Sequence, residues 1–230
     1  MSDSVKQRLV IGLGTGRCGT VSLSLLLNAQ RSARVCHEGK LDGKHHLIPW
    51  RDGEEVLSAW IKRLARESNG ASIYGDVGMY FLPYAEHLIR EYPHIRFVCM
   101  KRDKESTVDS YMVKTRGRNH WMVHDGSVWD LDPVWDPMFP KYSSDNKKEA
   151  LEKYWDDYYQ EAHRLSDLMP SSFGIFDMDS LNSEDGRREV LEFVGFEEPI
   201  NASVRFAANT QADNSRVSSA LSKAKLWWSR

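Results

Sequence analysis

The sequence predicts an α/β domain built on a parallel sheet, and three observations carry that prediction. A short apolar run at residues 9–13, rich in Val and Ile, leads through a glycine-rich turn into an apolar series of helical spacing. A second run, IRFVCM at residues 95–100, is continuously apolar, the pattern of a strand covered on both faces. With 230 residues the chain is long enough to bury a full core without disulfide or metal staples.

The elements follow in order. Residues 9–13 form the first strand, and Gly12, Gly14, Gly16 and Gly19 mark the turn after it. Val21, Leu23 and residues 25–27 belong to the first helix. Residues 33–36 read as a short second strand delivering His37 and Glu38 to the same edge as the turn. Residues 54–68 form an amphipathic helix through Val56, Leu57, Trp60, Ile61 and Leu64. Residues 72–75 are a third strand, from whose end Asp76 leaves the sheet. A short helix at 83–91 precedes the 95–100 strand, and a helix-like stretch follows Asp103.

Residues 116–144 carry Trp121, Trp129 and Trp135 beside His120 and His124 but lack periodicity, and such a loop reads equally as a substrate lid or as a stretch that its tryptophans fold onto the domain. The two histidines have no third ligand at metal-binding spacing, so no metal is expected. Residues 148–169 are the clearest helix, with Leu151, Tyr154, Trp155, Tyr158, Ala162, Leu165 and Met169 on one stripe that reads as core. Ser144 or Asp145 is its expected cap, and Pro170 lies beyond its end. Residues 173–176 are a fifth strand, followed by a helix capped near Asn182 and closed by Gly195. The polar stretch 201–230 ends in a basic helix. There are no repeats, and one domain over residues 1–230 is expected.

Strand, glycine turn and helix together aim backbone N–H groups and a helix N-terminus at one anion. Arg17 sits inside that turn with a planar fork of donors suited to phosphate or sulfate oxygens. A nucleotide-hydrolase loop requires Lys at position 20, where this chain has Thr20. The dinucleotide fingerprint G-x-G-x-x-G does match at Gly14, Gly16 and Gly19, with Glu38 available for a ribose. That reading implies an NAD(P)-dependent oxidoreductase, and a non-catalytic nucleotide-binding module is a third possibility.

A second basic anchor tips the balance. The 95–100 strand runs into Lys101, Arg102 and Asp103, and Ser110 follows Arg102 by eight residues. Arg supplies bidentate charge-assisted bonds and Ser a neutral donor, a fitting pair for a phosphate monoester. A plain dinucleotide dehydrogenase has no need of this site.

The segment Gly16-Arg17-Cys18-Gly19-Thr20, together with Arg102, Asp103 and Ser110, resembles the 3′-phosphoadenosine-5′-phosphosulfate (PAPS)-dependent sulfotransferases. Lys104 stands where that family commonly has Pro. The resemblance implies a three-layer α/β/α fold related to nucleotide kinases, with a parallel sheet of about five strands. It implies a PAPS cofactor whose 5′-phosphosulfate lies over Gly14, Thr15, Gly16, Arg17, Cys18, Gly19, Thr20 and Val21, and whose 3′-phosphate meets Arg102 and Ser110. It further implies in-line transfer of a sulfuryl group to a hydroxyl or amine of a small-molecule or carbohydrate acceptor. Glu38 is the expected base, with His37 and then Asp76 as alternatives; Arg17 stabilises the leaving phosphate. Related enzymes often carry a Lys after the third strand; none lies between Gly70 and Gly78 here, so that role is either vacant or filled from elsewhere, with Lys101 the candidate. The late basic, glycine-containing loop that the resemblance implies is not evident in this chain, and Arg205 and Arg216 are the candidate stand-ins for its contribution.

Composition sets outer bounds. A net charge of −2 and a pI near 6.5 give no sign of a nucleic-acid or anionic-membrane partner. Cys18, Cys36 and Cys99 share no metal spacing and no disulfide pattern, and no apolar stretch reaches membrane-spanning length. A cytoplasmic location is the expectation.

Overall fold

A computed structural model describes residues 7–204. Strands β1 (Arg8–Leu13), β2 (Ala33–His37), β5 (Ile73–Val77), β6 (Arg96–Lys101) and β7 (Phe173–Asp177) make a five-stranded sheet in the order β2-β5-β1-β6-β7. Every pairing in it is parallel, with Val10 opposite Gly75 on one side and Arg96 on the other. Between β2 and β5 lies a separate antiparallel hairpin, β3 (Lys40–Leu41) and β4 (Lys44–His45).

Alternation along the strands assigns the two faces. Leu9, Ile11 and Leu13 of β1 join Phe97 and Cys99 of β6 under α2 (Glu54–Glu67), α3 (Ala85–Glu91) and α5 (Lys147–Leu168). Val10, Val98 and Met100 face the opposite layer, formed by α1 (Thr20–Asn28) and α6 (Glu184–Val194). Both faces of the sheet are therefore covered, which is why β1 and β6 read as unbroken apolar runs. Burying each such Leu, Ile or Val side chain contributes about 1.5–3 kcal/mol. The result is the three-layer α/β arrangement expected from the sequence.

The strand order also decides between the two glycine-loop readings. Counting only sheet strands along the chain, the order is 2-3-1-4-5, whereas the dinucleotide fold places its second strand directly beside the first. Here β5 lies between β1 and β2, so Glu38 at the end of β2 is not beside the β1 turn in the manner a ribose partner requires.

Several local expectations are corrected. The third strand of the sheet continues through Asp76 and Val77, so Asp76 is inside the sheet and does not leave it at the edge. The β3–β4 hairpin turns at Asp42-Gly43, both at positive φ (52° and 77°), an Asp-Gly signal legible in the sequence. A 3-10 turn at Met79–Tyr84 precedes α3. Asn146, one residue past the expected caps, accepts from the Lys148 amide at 2.8 Å to start α5. Ser183 caps α6, and Gly195 closes it at φ 90°. Between β6 and α5 runs α4 (Lys104–Lys114), capped by Asp103, whose Oδ1 accepts from the Ser106 amide at 2.8 Å. The expected C-terminal basic helix, with Arg205 and Arg216, lies outside the described residues.

Candidate active site at the carboxyl edge of the sheet

All five strands of the parallel sheet end at one edge, where ligands bind in open α/β sheets. The β1–α1 turn lies there, and its backbone is unusual. Gly14, Gly16 and Gly19 take φ of 138°, 86° and 92°, and Arg17 takes 59°. Gly16 has a steric requirement as well, since a Cβ there would lie 2.0 Å from the Tyr111 hydroxyl. Non-glycine residues at positive φ are Arg17, Glu38, Asp42, Asp52 and Asn69 among those described. Asp and Asn tolerate this region, but Arg and Glu do so at roughly 1–2 kcal/mol each. The two strained residues are a charge of the turn and the carboxylate after β2.

The turn's carbonyls and amides are treated differently. The Thr15 carbonyl accepts from the hydroxyls of Tyr111 (2.6 Å) and Tyr154 (3.0 Å). The Gly16 carbonyl accepts from Thr15 Oγ1, that of Arg17 from Arg102 Nη1, and that of Gly19 from the Leu23 amide. Gly14 N–H donates to the Tyr158 hydroxyl at 3.0 Å, and the Gly16 amide faces the Cys18 sulfur. The amides of Gly19, Thr20 and Val21, at the uncapped start of α1, have no acceptor among the described residues. Thr15 and Cys18 are fully buried; their side chains face inward and support the turn.

The two basic anchors of the sequence meet here. Arg17 Nε donates to Ser110 Oγ at 2.9 Å, and Arg102 Nη1 reaches the Arg17 carbonyl at 3.2 Å. Trp155 Nε1 holds the Arg102 carbonyl at 3.1 Å. Among the described residues Arg17 forms no ion pair, and the nearest carboxylate to Arg102 is its neighbour Asp103, 3.9 Å away. Two guanidinium groups thus share a region beside free amides, a concentration of positive potential matched to an anion with more than one charged group.

His37 and Glu38 lie beside it. His37 Nε2 is 3.3 Å from Thr20 Oγ1, and its Nδ1 is 3.8 Å from Glu38 Oε2. Burial lowers the His37 pKa below the ordinary 6.5 against the pull of Glu38, which favours the neutral imidazole. Glu38 pairs with His37 and leaves Arg17 to Ser110. Asp76 is fully buried beneath this corner. It accepts from the Gly39 amide, Trp60 Nε1, the Val77 amide and the Tyr80 hydroxyl, and burial raises its pKa to about 7 against those bonds. Asp76 therefore supports the turn that carries Glu38 and touches no open space. Lys101 lies over Trp155 and Tyr159 with its Nζ 3.2 Å from His163 Nε2.

The 116–144 segment borders two surface clefts. One, of about 370 Å³, is lined by Trp50, Arg51, Tyr142, Tyr154, Asp157 and Tyr158 among others. The other, of about 550 Å³, runs along Met122, Val123, Tyr142 and Ser144. Trp121 is fully buried, whereas Trp129 and Trp135 are half-buried. His120 and Asp136 form a 2.6 Å pair with His124 3.8 Å from the same carboxylate. No group of three or more His, Cys, Asp or Glu among the described residues is arranged to hold a metal.

Sequence reasoning assigned the α5 aromatic stripe to the core alone and missed its polar tips. Tyr154 and Tyr158 bond the turn, and the Tyr159 hydroxyl donates to the Met100 carbonyl at 2.8 Å. Buried phenols ordinarily find a partner, so the signal was the number of tyrosines on one buried stripe.

Comparison with known proteins agrees with this fold. A family model described as a sulfotransferase domain matches residues 9–212. A crystal structure of a sulfotransferase from Alicyclobacillus acidocaldarius superposes with a TM-score of 0.53 over 87% of this chain and 86% of that one, at 13% identity, a likeness of fold. No curated protein matches the chain. With the model spanning nearly the whole chain and the sheet edge built as described, the protein belongs to the sulfotransferase family.

Proposed function

We propose that this enzyme transfers a sulfuryl group from PAPS to a hydroxyl or amine of a small-molecule or carbohydrate acceptor. The observation that carries the reading is the meeting of Arg17, Ser110 and Arg102, from segments about ninety residues apart, next to the unpartnered amides of Gly19, Thr20 and Val21. The residues fit the donor: two guanidiniums, a hydroxyl and a helix N-terminus answer two separated phosphate groups.

When bound, the donor supplies an electrophilic sulfur with a phosphate leaving group. Arg17 and the α1 amides hold the 5′ end and stabilise negative charge as it grows on the leaving oxygen. Such preorganised donors are worth on the order of 10²–10³ in kcat apiece. Arg102 and Ser110 hold the 3′-phosphate. Glu38 takes the acceptor proton, and its left-handed backbone, supported by Asp76 through Gly39, aims it.

A specific contact favours a second assignment of the base. His37, neutral and against Thr20, is itself able to take the proton. Its lowered pKa sets the sign: the deprotonated form predominates at and above pH 6.5, so a His37-driven rate is retained there and falls on acidification through the lowered pKa. Loss of that acid limb in a His37→Asn variant with residual turnover assigns the base to His37. Retention of the limb, with turnover lost in Glu38→Gln, assigns it to Glu38.

The function is tested by incubating the protein with radiolabelled PAPS and a panel of phenols, alcohols, amines and sugars. Transfer with matching release of adenosine 3′,5′-bisphosphate is expected. Thermal stabilisation by NAD but not by the bisphosphate would overturn the reading.

A further inference from the structure

The bonds to the turn raise a question that ligand contacts alone do not answer: why two buried phenols converge on one carbonyl. Tyr111 comes from α4 and Tyr154 from α5, and both donate to the Thr15 oxygen, at 2.6 and 3.0 Å. A carbonyl has two lone pairs, so this oxygen is saturated. It is also the carbonyl at the centre of the turn. Were it to swing inward, its negative end would oppose the anion that the amides of Gly19, Thr20 and Val21 and the Arg17 guanidinium attract. Gly16 makes such a swing cheap, because that peptide turns about the ψ of Thr15 and the φ of Gly16, and glycine accepts either sign of φ. Burial holds both phenols protonated, hence as donors.

We infer that Tyr111 and Tyr154 are positioning residues for sulfuryl transfer: by pinning the Thr15 carbonyl away from the turn's interior, they leave that interior lined by donors alone. Their effect on the ligand is electrostatic and greatest at the 5′ end of the nucleotide, since neither hydroxyl bonds Arg102 or Ser110, which meet the turn through Arg17. The inference rests on the donor reading proposed above.

The test compares two nucleotides, adenosine 3′,5′-bisphosphate and adenosine 3′-monophosphate, by calorimetry on the wild type, Tyr111→Phe and Tyr154→Phe. Each variant keeps one phenol on the carbonyl. Each is expected to bind the bisphosphate about tenfold more weakly, the effect of one lost buried hydrogen bond, while its affinity for the monophosphate falls less. Tyr84→Phe is the stability control: its hydroxyl donates to the Pro49 carbonyl, away from the turn. It is expected to lower Tm as much as the other two without altering either affinity. Equal weakening of both nucleotides, or no weakening in a folded variant of either tyrosine, overturns the positioning role. Should one variant fail to fold, the other carries the comparison. A wild type that binds neither nucleotide removes the donor reading, and the inference falls with it; a wild type that binds both leaves the tyrosine comparison to stand or fail by itself.

Discussion

The β1–α1 turn and the 116–144 segment are both irregular stretches, yet they satisfy their polar groups in opposite ways. In the turn, carbonyls are tied back to the protein and the amides at the start of α1 are left over. In the 116–144 segment the charged groups satisfy one another, while Trp121 Nε1 and His124 Nδ1 are buried without a hydrogen-bond partner among the described residues. Asp136 takes His120 at 2.6 Å and the Asp132 amide at 2.8 Å, Asp132 takes Arg118 at 2.8 Å, and Lys141 donates to the carbonyls of His120 and Asp136. What that segment leaves over at its surface is a set of apolar side chains: Val123, Val128, Leu131 and Val134 are exposed. The contrast teaches that an unpaired backbone donor and an unpaired apolar side chain mark different tasks. The first answers a charge; the second covers a surface or meets another one.

That contrast orders the expected mutational effects. The largest falls on the turn: Arg17→Ala is expected to lower kcat by about 10³-fold with an unchanged Tm, and near-normal turnover would end its role in charge stabilisation. Next comes Arg102→Ala, expected to raise the apparent donor KM some tens-fold, in line with the loss of a charge-assisted bond. The same variant should barely alter use of a donor lacking the 3′-phosphate, and a loss equal for both donors breaks the two-end picture. Asp136→Asn acts on the other region. It is expected to lower Tm by about 2–8 °C through loss of one of the two bonds its carboxylate accepts, from His120 or from the Asp132 amide, with bisphosphate affinity intact. A drop in that affinity would mean the two regions are coupled and sharpen the case for a lid. Smallest is Val128→Ser, expected within about 0.5 kcal/mol of wild-type stability; a larger shift would mean the side chain is covered in solution.

The same two regions show how far a sequence can be read. The turn was legible because its needs are local: a strand, glycines at fixed offsets and a charged residue among them. Arg102 and Ser110 were legible as a spacing, though their contact with Arg17 was not, because it joins two segments that only the β1–β6 pairing brings together. Asp76 was misplaced by two residues of strand length, which turned an edge carboxylate into one buried under Trp60. The α5 tyrosines disclosed their face through helical period, but period says nothing about what a hydroxyl six ångströms from the backbone will meet (roughly the reach of a phenol). The 116–144 segment has no period at all, and its fold is held by ion pairs that no spacing announces.

One feature of the turn also supplies a built-in clock. All three thiols are sealed from solvent, and Cys18 lies within the turn itself, where a Cβ on Gly14 would collide with its sulfur at 2.5 Å. Burial raises its pKa, so alkylating reagents meet neither an accessible nor an ionised sulfur until the backbone opens. Labelling kinetics at this one position therefore time the opening of the turn, and a nucleotide that locks it shut slows the reaction in proportion to its occupancy.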